Sequence, residues 1–283
     1  MPRLAPIVLP LADALNCVCA EDVHAVRPVP AFDTCARDGF AVCANDTGEL
    51  RIIDEVPAGF ISEHTLTPGS TIRVAAGAQL PEGAVAVLPW SAATQTMHVE
   101  VPGIEGDGVL RTGHVLANGA LVCQANAFIN PEAIARLASS GHATVLVHPR
   151  PRVVIVPVGT ELARAGETVR AGVINDAVGP MLLAEARLNE ADAYLADPVR
   201  DDDLAVLEAI EEAQLRADVI LTSGGLGVLE GGAVARTLNT SGGATTFNEL
   251  PVIALPGDPV LALDVFRSTV SPLIQELRGV TGL

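Results

Sequence analysis

Apolar positions change their spacing twice along the chain, and each change marks a different kind of structure. In residues 11–23, LADALNCVCAEDV, they recur at helical intervals, which predicts a short helix. Pro28 and Pro30 then hold the chain extended up to Phe32. From Phe40 to about Leu121 the runs are short and alternating. LRIIDEV, STIRVAAG, GAVAVLPW and MHVEVPG are separated by Gly and Pro, the pattern of a β-rich module. Helical spacing returns at Asn130–Ser140, with Pro131 at a first helical position and Gly141 beyond the end. VLVHPRPR reads as the link into the second half.

The second half alternates strand and helix. Val153–Val158 is a continuous apolar, β-branched run, as for a strand buried on both faces, and GTEL sets Glu161 at its carboxyl end. A polar, glycine-containing hairpin is predicted next. Asp176 then stands where it caps a helix carrying Met181, Leu182, Leu183 and Leu188. Ala193–Ala196 is a weaker strand. The acidic run Asp201–Asp203 opens a helix with Leu204, Leu207 and Ile210, and reads as a solvated helix start favoured by the helix dipole. Val219–Leu221 is a third strand and Pro251–Leu255 a fourth. The loop PGDP, Pro256 to Pro259, leads to a last helix with Leu263, Phe266, Val270, Leu273 and Leu277 on one face and a kink at Pro272. Such alternation predicts an α/β fold, a parallel sheet with helices on both faces.

One stretch organises that half: Asp218 to Gly232, DVILTSGGLGVLEGG. A strand ends in Thr222, Ser223 and two glycines, and a glycine-rich loop leads to a helix predicted from about Glu230. Backbone N–H groups and a helix dipole converge on anions at such a place. A Gly-rich turn that only lets a helix pack closely on the sheet is the other reading. Dinucleotide spacing is absent, because Glu230 falls where the third glycine belongs.

Composition and charge narrow the chemistry. The 283 residues suffice for two or three domains, and cores built from 49% hydrophobic but only 3% aromatic residues suit sheets covered by helices. No run approaches the roughly 20 apolar residues of a membrane span, and the N-terminal run is broken by Pro6, Pro10 and Asp13, so a soluble, cytoplasmic protein is expected. Five cysteines without a Cys-x-x-Cys pair and six scattered histidines predict neither structural zinc nor a disulfide framework. A formal charge of −17 argues against nucleic acid and anionic membranes as partners. All 17 basic residues are arginine. Lysine Schiff bases and P-loop lysines are therefore excluded, and an anionic ligand falls to arginine, backbone amides, a helix N-terminus or a bridging metal. In FDTCARDGFAV, Asp33 and Asp38 flank Arg37 and Gly39 allows a turn; a simple turn and a fixed carboxylate that carries metal or accepts a proton both remain open.

Three stretches in the same order, ADALNCVCAEDVHAVRPVPAFDTCARDGFAV, PRVVIVPVGTELARAGETVRAGVINDAV, and TSGG with PVIALPGDPVLALDVF, resemble the molybdopterin molybdenumtransferases and the gephyrin E domain. GSTIRVAAGAQLPEGAVAVLPW adds a fourth. The resemblance implies an elongated base domain (residues 1–31 and 122–150), a β-rich domain (32–121) and a MoaB/Mog-like molybdopterin-binding α/β domain (151–283). It ends after the last helix, without a counterpart of the family's C-terminal β domain, as for a shortened and diverged member.

The implied reaction is insertion of molybdenum from molybdate into adenylylated molybdopterin, with Mg2+ and release of AMP. The implied assembly is a homodimer whose cleft lies between the α/β domain of one subunit and the β domain of its partner. Residue by residue, Asp38, Glu161 and Asp176 take the catalytic and metal positions. Thr222, Ser223, Gly224, Gly225, Gly227, Glu230, Pro256, Gly257 and Asp258 take the cofactor-binding ones. Other family positions are changed. Ala76 replaces a threonine, Ser91 and His114 replace acidic residues, Thr160 replaces the first acid of the GDEL motif, and a lysine-bearing segment is missing between Leu238 and Pro251. Arg37, Arg73 and Arg236 are the candidates to supply the lost cations. Two further readings differ in class: a non-catalytic molybdopterin carrier or assembly factor, serving a molybdoenzyme or working beside the upstream adenylyltransferase, and a hydrolase of a nucleotide or pterin pyrophosphate.

Overall fold

The computed structural model describes residues 3–46, 48–92, 106–227 and 231–280. The predicted MHVEVPG strand and Glu230 lie outside the described residues. The chain forms two compact units: Met1–Glu21 with Ala125–Asn130 and Thr144–Leu283, and Asp22–Gln124 with Pro131–Ala143. The segments assigned to an elongated base divide between them.

The first unit is built on a five-stranded sheet. Its elements are β1 (Arg152–Val158), α1 (Val178–Leu188), β2 (Asp192–Leu195), α2 (Asp203–Gln214), β3 (Val219–Gly224), α3 (Ala233–Leu238), β4 (Gly243–Phe247), β5 (Leu250–Leu255), α4 (Pro259–Val265) and α5 (Ser271–Leu277). The strand order is β2-β1-β3-β5-β4. Neighbours are parallel except for β4, an edge strand antiparallel to β5 that the apolar pattern does not announce. Asn248 and Glu249, both in the left-handed region, make the two-residue turn between those strands.

The continuous apolar runs arise because successive strand residues feed two cores. Val153, Ile155, Val219, Leu221, Ile253 and Leu255 pack under α1, α4 and α5. Val154, Val156, Val158, Ile220, Val252 and Ala254 pack under α2 and α3. The last helix does not simply kink at Pro272. It widens into a π-turn over Phe266–Val270, which accommodates the missing proline N–H before α5 begins.

Three local expectations change on folding. Residues 11–23 hold only a 3-10 turn, Leu11–Asp13, followed by strands Val18–Cys19 and Val23–His24. VLVHPRPR is no mere link: Thr144–His148 is the central strand of a three-stranded sheet between Ile7–Pro10 and Val18–Cys19. Backbone pairing wins in both places, because Val18 and Cys19 are buried against that sheet. Leu162–Ala163 and Ile174–Asn175 are joined in parallel and not as a hairpin.

The three chain segments of this unit are held together by Arg278, which is 4% exposed. Its Nη2 donates to the Asn16 carbonyl at 2.7 Å and its Nη1 to Gln275 Oε1 at 2.9 Å, and its guanidinium lies 5.4 Å from the Phe128 ring.

The second unit is β-rich, as expected, with the helix Pro131–Ser139 beginning at its proline. Its main sheet has strands Arg51–Val56, Ser70–Val74, Gly39–Val42 and Ala86–Pro89 side by side. Asp33 is structural here. Its Oδ1 accepts the Thr112 amide at 2.8 Å and its Oδ2 accepts Arg111 Nη1 at 2.7 Å. The amide first, and the guanidinium after it, hold its carboxyl below the usual carboxylate range. A depressed folded-state value stabilises above the unfolded pKa of about 3.9, and that contribution is lost as pH falls through the folded value. Asp33→Asn should therefore lower the urea midpoint at about pH 6, and its deficit against wild type should shrink steadily toward about pH 3.

Candidate functional site

The parallel order places a topological switch point between β1 and β3, since the chain leaves β1 toward β2 on one side and returns to β3 on the other. At the carboxyl ends of these strands lies a cleft of about 350 Å³. Turns carry its lining: Gly159, Glu161 and Leu162 after β1, Ile174–Val178 at the start of α1, Asp201 before α2, Ser223, Gly224, Gly225 and Gly227 after β3, and Gly257 and Pro259 after β5.

The glycines are demanded by close approach. Gly224 and Gly225 have φ of +82° and +66°. A Cβ on Gly224 would sit 2.4 Å from the Val158 carbonyl oxygen, and one on Gly232 only 2.1 Å from that of Gly225. The loop thus folds onto itself and onto β1.

The helix N-terminus is not the anion site that the strand–glycine–helix pattern suggests. Helix α3 has six residues, and its first amides are all engaged. Ala233 N–H donates to Asp201 Oδ1 at 2.6 Å, and Val234 and Ala235 N–H donate to the Gly225 carbonyl at 3.0 and 3.3 Å. Among the described residues, no hydrogen bond uses the amides of Gly225, Gly227 or Gly257, which line the cleft and are left as donors there.

Three carboxylates line the same space. Asp176 is 5% exposed and its Oδ1 accepts the Gly179 amide at 3.0 Å, the capping contact expected of it. Glu161 folds over Gly159, where a Cβ would come within 2.8 Å of both carboxylate oxygens, and it meets no donor among the described residues. Asp201 is the site residue that sequence reasoning passed over as a solvated helix start. Asp202 is the residue that caps α2, through Ala205 N–H, and Asp203 pairs with Arg236 at 2.7 Å. Asp201 instead reaches across to α3 while its own amide donates to Thr160 Oγ1 at 3.2 Å. An acidic triplet holds three different roles, and only the tertiary partners separate them.

Other expected residues stand elsewhere. Thr222 is fully buried within β3, with its hydroxyl unpaired among the described residues, so it faces no ligand. Asp258 is turned away to cap α4, accepting from Val260 and Leu261 N–H at 2.9 and 3.0 Å, and neither it nor Pro256 lines the cleft. Asp38 belongs to the second unit, where its Oδ1 accepts the Ala76 amide at 2.7 Å. Among the described residues no three His, Cys, Asp or Glu side chains are placed to hold a metal by themselves. Magnesium takes only one or two carboxylates beside water and substrate oxygens, and Glu161, Asp176 and Asp201 fit that requirement.

An acidic, glycine-floored cleft at the switch point of an α/β sheet defines a class of small-ligand binding domains. Sequence comparison narrows the class. A family model described as "MoeA N-terminal region (domain I and II)" matches residues 2–141, and one described as "Probable molybdopterin binding domain" matches residues 154–249. Molybdopterin molybdenumtransferase 2 of Mycobacterium tuberculosis is 30% identical over 313 aligned positions, covering 99% of this chain and 77% of that protein. The molybdopterin molybdenumtransferase of Staphylococcus aureus is 30% identical over 233 positions, covering 78% of this chain and 56% of that protein. Among solved structures, the molybdopterin biosynthesis MoeA protein of Pyrococcus horikoshii OT3 superposes with a TM-score of 0.71 at 26% identity, over 100% of this chain and 77% of its own. The chain belongs to the molybdopterin molybdenumtransferase family.

The crowding at the turn separates two similar substitutions. Gly232→Ala should lower stability by about 2 kcal/mol or more, because its Cβ meets backbone that cannot yield. Gly227→Ala, with φ outside the left-handed region and nothing among the described residues nearer than 3.4 Å, should stay within about 1 kcal/mol of wild type. Chemical denaturation of both variants checks the contrast.

Proposed function

We propose that this chain is a molybdenum-inserting transferase that takes molybdopterin in its adenylylated form and molybdate as substrates and releases AMP. The observation that carries the reading is the cleft itself, where Glu161, Asp176 and Asp201 face glycine amides at the switch point. Gly225, Gly227 and Gly257 would donate N–H groups to the phosphate oxygens of the ligand. The apolar side chains of Val158, Leu162, Ile174 and Val178 form a wall that keeps water from a flat ring.

No arginine lines the cleft among the described residues, so the charge of an anionic substrate must be offset from outside it. Magnesium supplies that positive charge when bound, and Asp176 and Asp201 would hold it. Asp176 and Asp201, each fixed by a backbone amide, keep their orientation without reorganising. Glu161 is free to move toward the substrate and to accept a proton from water or a protonated oxygen. Asp38, fixed by the Ala76 amide, is the corresponding acceptor of the second unit. The reading extends to a homodimer in the cytoplasm.

Glu161 has no partner to lose among the described residues, so Glu161→Gln should leave the thermal midpoint unchanged. It should reduce molybdate-dependent AMP release by about a hundredfold. Asp38→Asn retains an oxygen for the Ala76 amide and should likewise lose activity without unfolding. The assay uses purified chain, adenylylated molybdopterin, magnesium and molybdate. AMP release that ignores both substitutions, or that needs no molybdate, would refute the reading, whereas tight pterin binding with no AMP release would indicate a carrier.

A further inference from the structure

The turn that follows β1, residues 159–163, is bonded to its neighbours along both sides. On one side the Ile174 amide donates to the Glu161 carbonyl and the Asp176 amide to the Ala163 carbonyl, each at 2.8 Å, so backbone alone brings Asp176 to the cleft. On the other side Val199 bridges Val158 in parallel, and the Gly159 amide donates to the Val199 carbonyl at 2.8 Å. There a side chain takes over from the backbone. The Thr160 hydroxyl accepts the Asp201 amide at 3.2 Å, and Asp201 carries the connection onward, its Oδ1 accepting the Ala233 amide at 2.6 Å.

One hydroxyl thus joins the turn after β1 to the loop before α2, and through that loop to the start of α3. Thr160 is exposed and does not line the cleft, so whatever it contributes passes through Asp201, which does. The second carboxylate oxygen of Asp201 accepts no hydrogen bond among the described residues. Asp176 and Asp201 therefore reach the same cleft by different means. Asp176 has its own amide in a backbone pairing, whereas the amide of Asp201 rests on a threonine side chain that one substitution removes.

We infer that Thr160 is a positioning residue for a divalent cation: by holding the Asp201 amide it keeps the Asp201 carboxylate at the cleft with Asp176. The inference rests on the function proposed above, which gives those two carboxylates to magnesium. Groups that orient a metal-binding carboxylate are commonly worth about tenfold to a hundredfold in affinity. The hydroxyl serves as an acceptor here, so serine can replace it, and valine, of the same shape without the oxygen, cannot.

The test uses the full chain with Mn2+ as the probe, following the electron paramagnetic resonance signal of free Mn2+ in the presence of AMP. Asp176→Asn sets the background from surface carboxylates, which a chain of formal charge −17 has in number. Thr160→Val should bind Mn2+ about tenfold more weakly than wild type, with a thermal midpoint within about 2 °C, and Thr160→Ser should stay within a few-fold. In the AMP-release assay, Thr160→Val should raise the half-saturating Mg2+ concentration about tenfold and leave kcat at saturating Mg2+ nearly unchanged. Wild-type Mn2+ affinity in Thr160→Val, a Thr160→Ser chain as weak as Thr160→Val, or a wild type that holds no more Mn2+ than Asp176→Asn would each overturn the assignment, as would a loss of kcat that added Mg2+ does not restore. The two proposals fail separately. Weakened Mn2+ binding by Thr160→Val beside a wild type that releases no AMP keeps the positioning role and removes the transferase, whereas molybdate-dependent AMP release with the same Mg2+ requirement in both chains removes the positioning role alone.

Discussion

Backbone contact without a Cβ between is the constraint on which the first unit depends. β3 ends against β1 so closely that Gly224 admits no side chain beside the Val158 carbonyl, and the loop turns back so tightly that Gly232 lies on Gly225. These contacts bring the ends of β1 and β3 together at the switch point, and they set where α3 begins. The cleft is the space left over when the two turns cannot come closer. Its floor of glycine amides is thus a consequence of packing as much as a provision for a ligand.

The same packing decides the electrostatics. Helix α3 is short and its first donors are spent on Asp201 and on the Gly225 carbonyl. What remains for an anion is the loop's own amides, beside three carboxylates and without an arginine among the described lining residues. In a chain of formal charge −17 such a cleft repels a bare anion, and positive charge has to accompany the ligand. Asp176 and Asp201 keep their places because each accepts a backbone N–H, while Glu161 has no such anchor. Two of the cleft's carboxylates are thus held by backbone amides, and the third is not, among the described residues.

The second unit shows how little the residue type alone reveals. Asp33 and Asp38 lie in one stretch, yet Asp33 is saturated by Thr112 and Arg111 and serves stability, while Asp38 accepts the Ala76 amide. Arg37 and Arg73 divide in the same way, the first bound to Asp107 and the second resting over Trp90.

By itself the sequence determined the alternation of strand and helix in the second half, the carboxylates at Glu161 and Asp176, the glycine turn after β3 and the family. Each of these is local: a continuous apolar run, a capping residue, a glycine pair, a motif in order. Tertiary structure alone decided the antiparallel edge strand β4, the strands within residues 11–23 and 144–148, and the parting of Thr222, Asp258 and Asp201 between core, cap and cleft. The physical reason is that a backbone N–H or a carboxylate takes the partner that packing brings to it. For Asp201 that partner is Ala233, 32 residues away, at a distance no periodicity records.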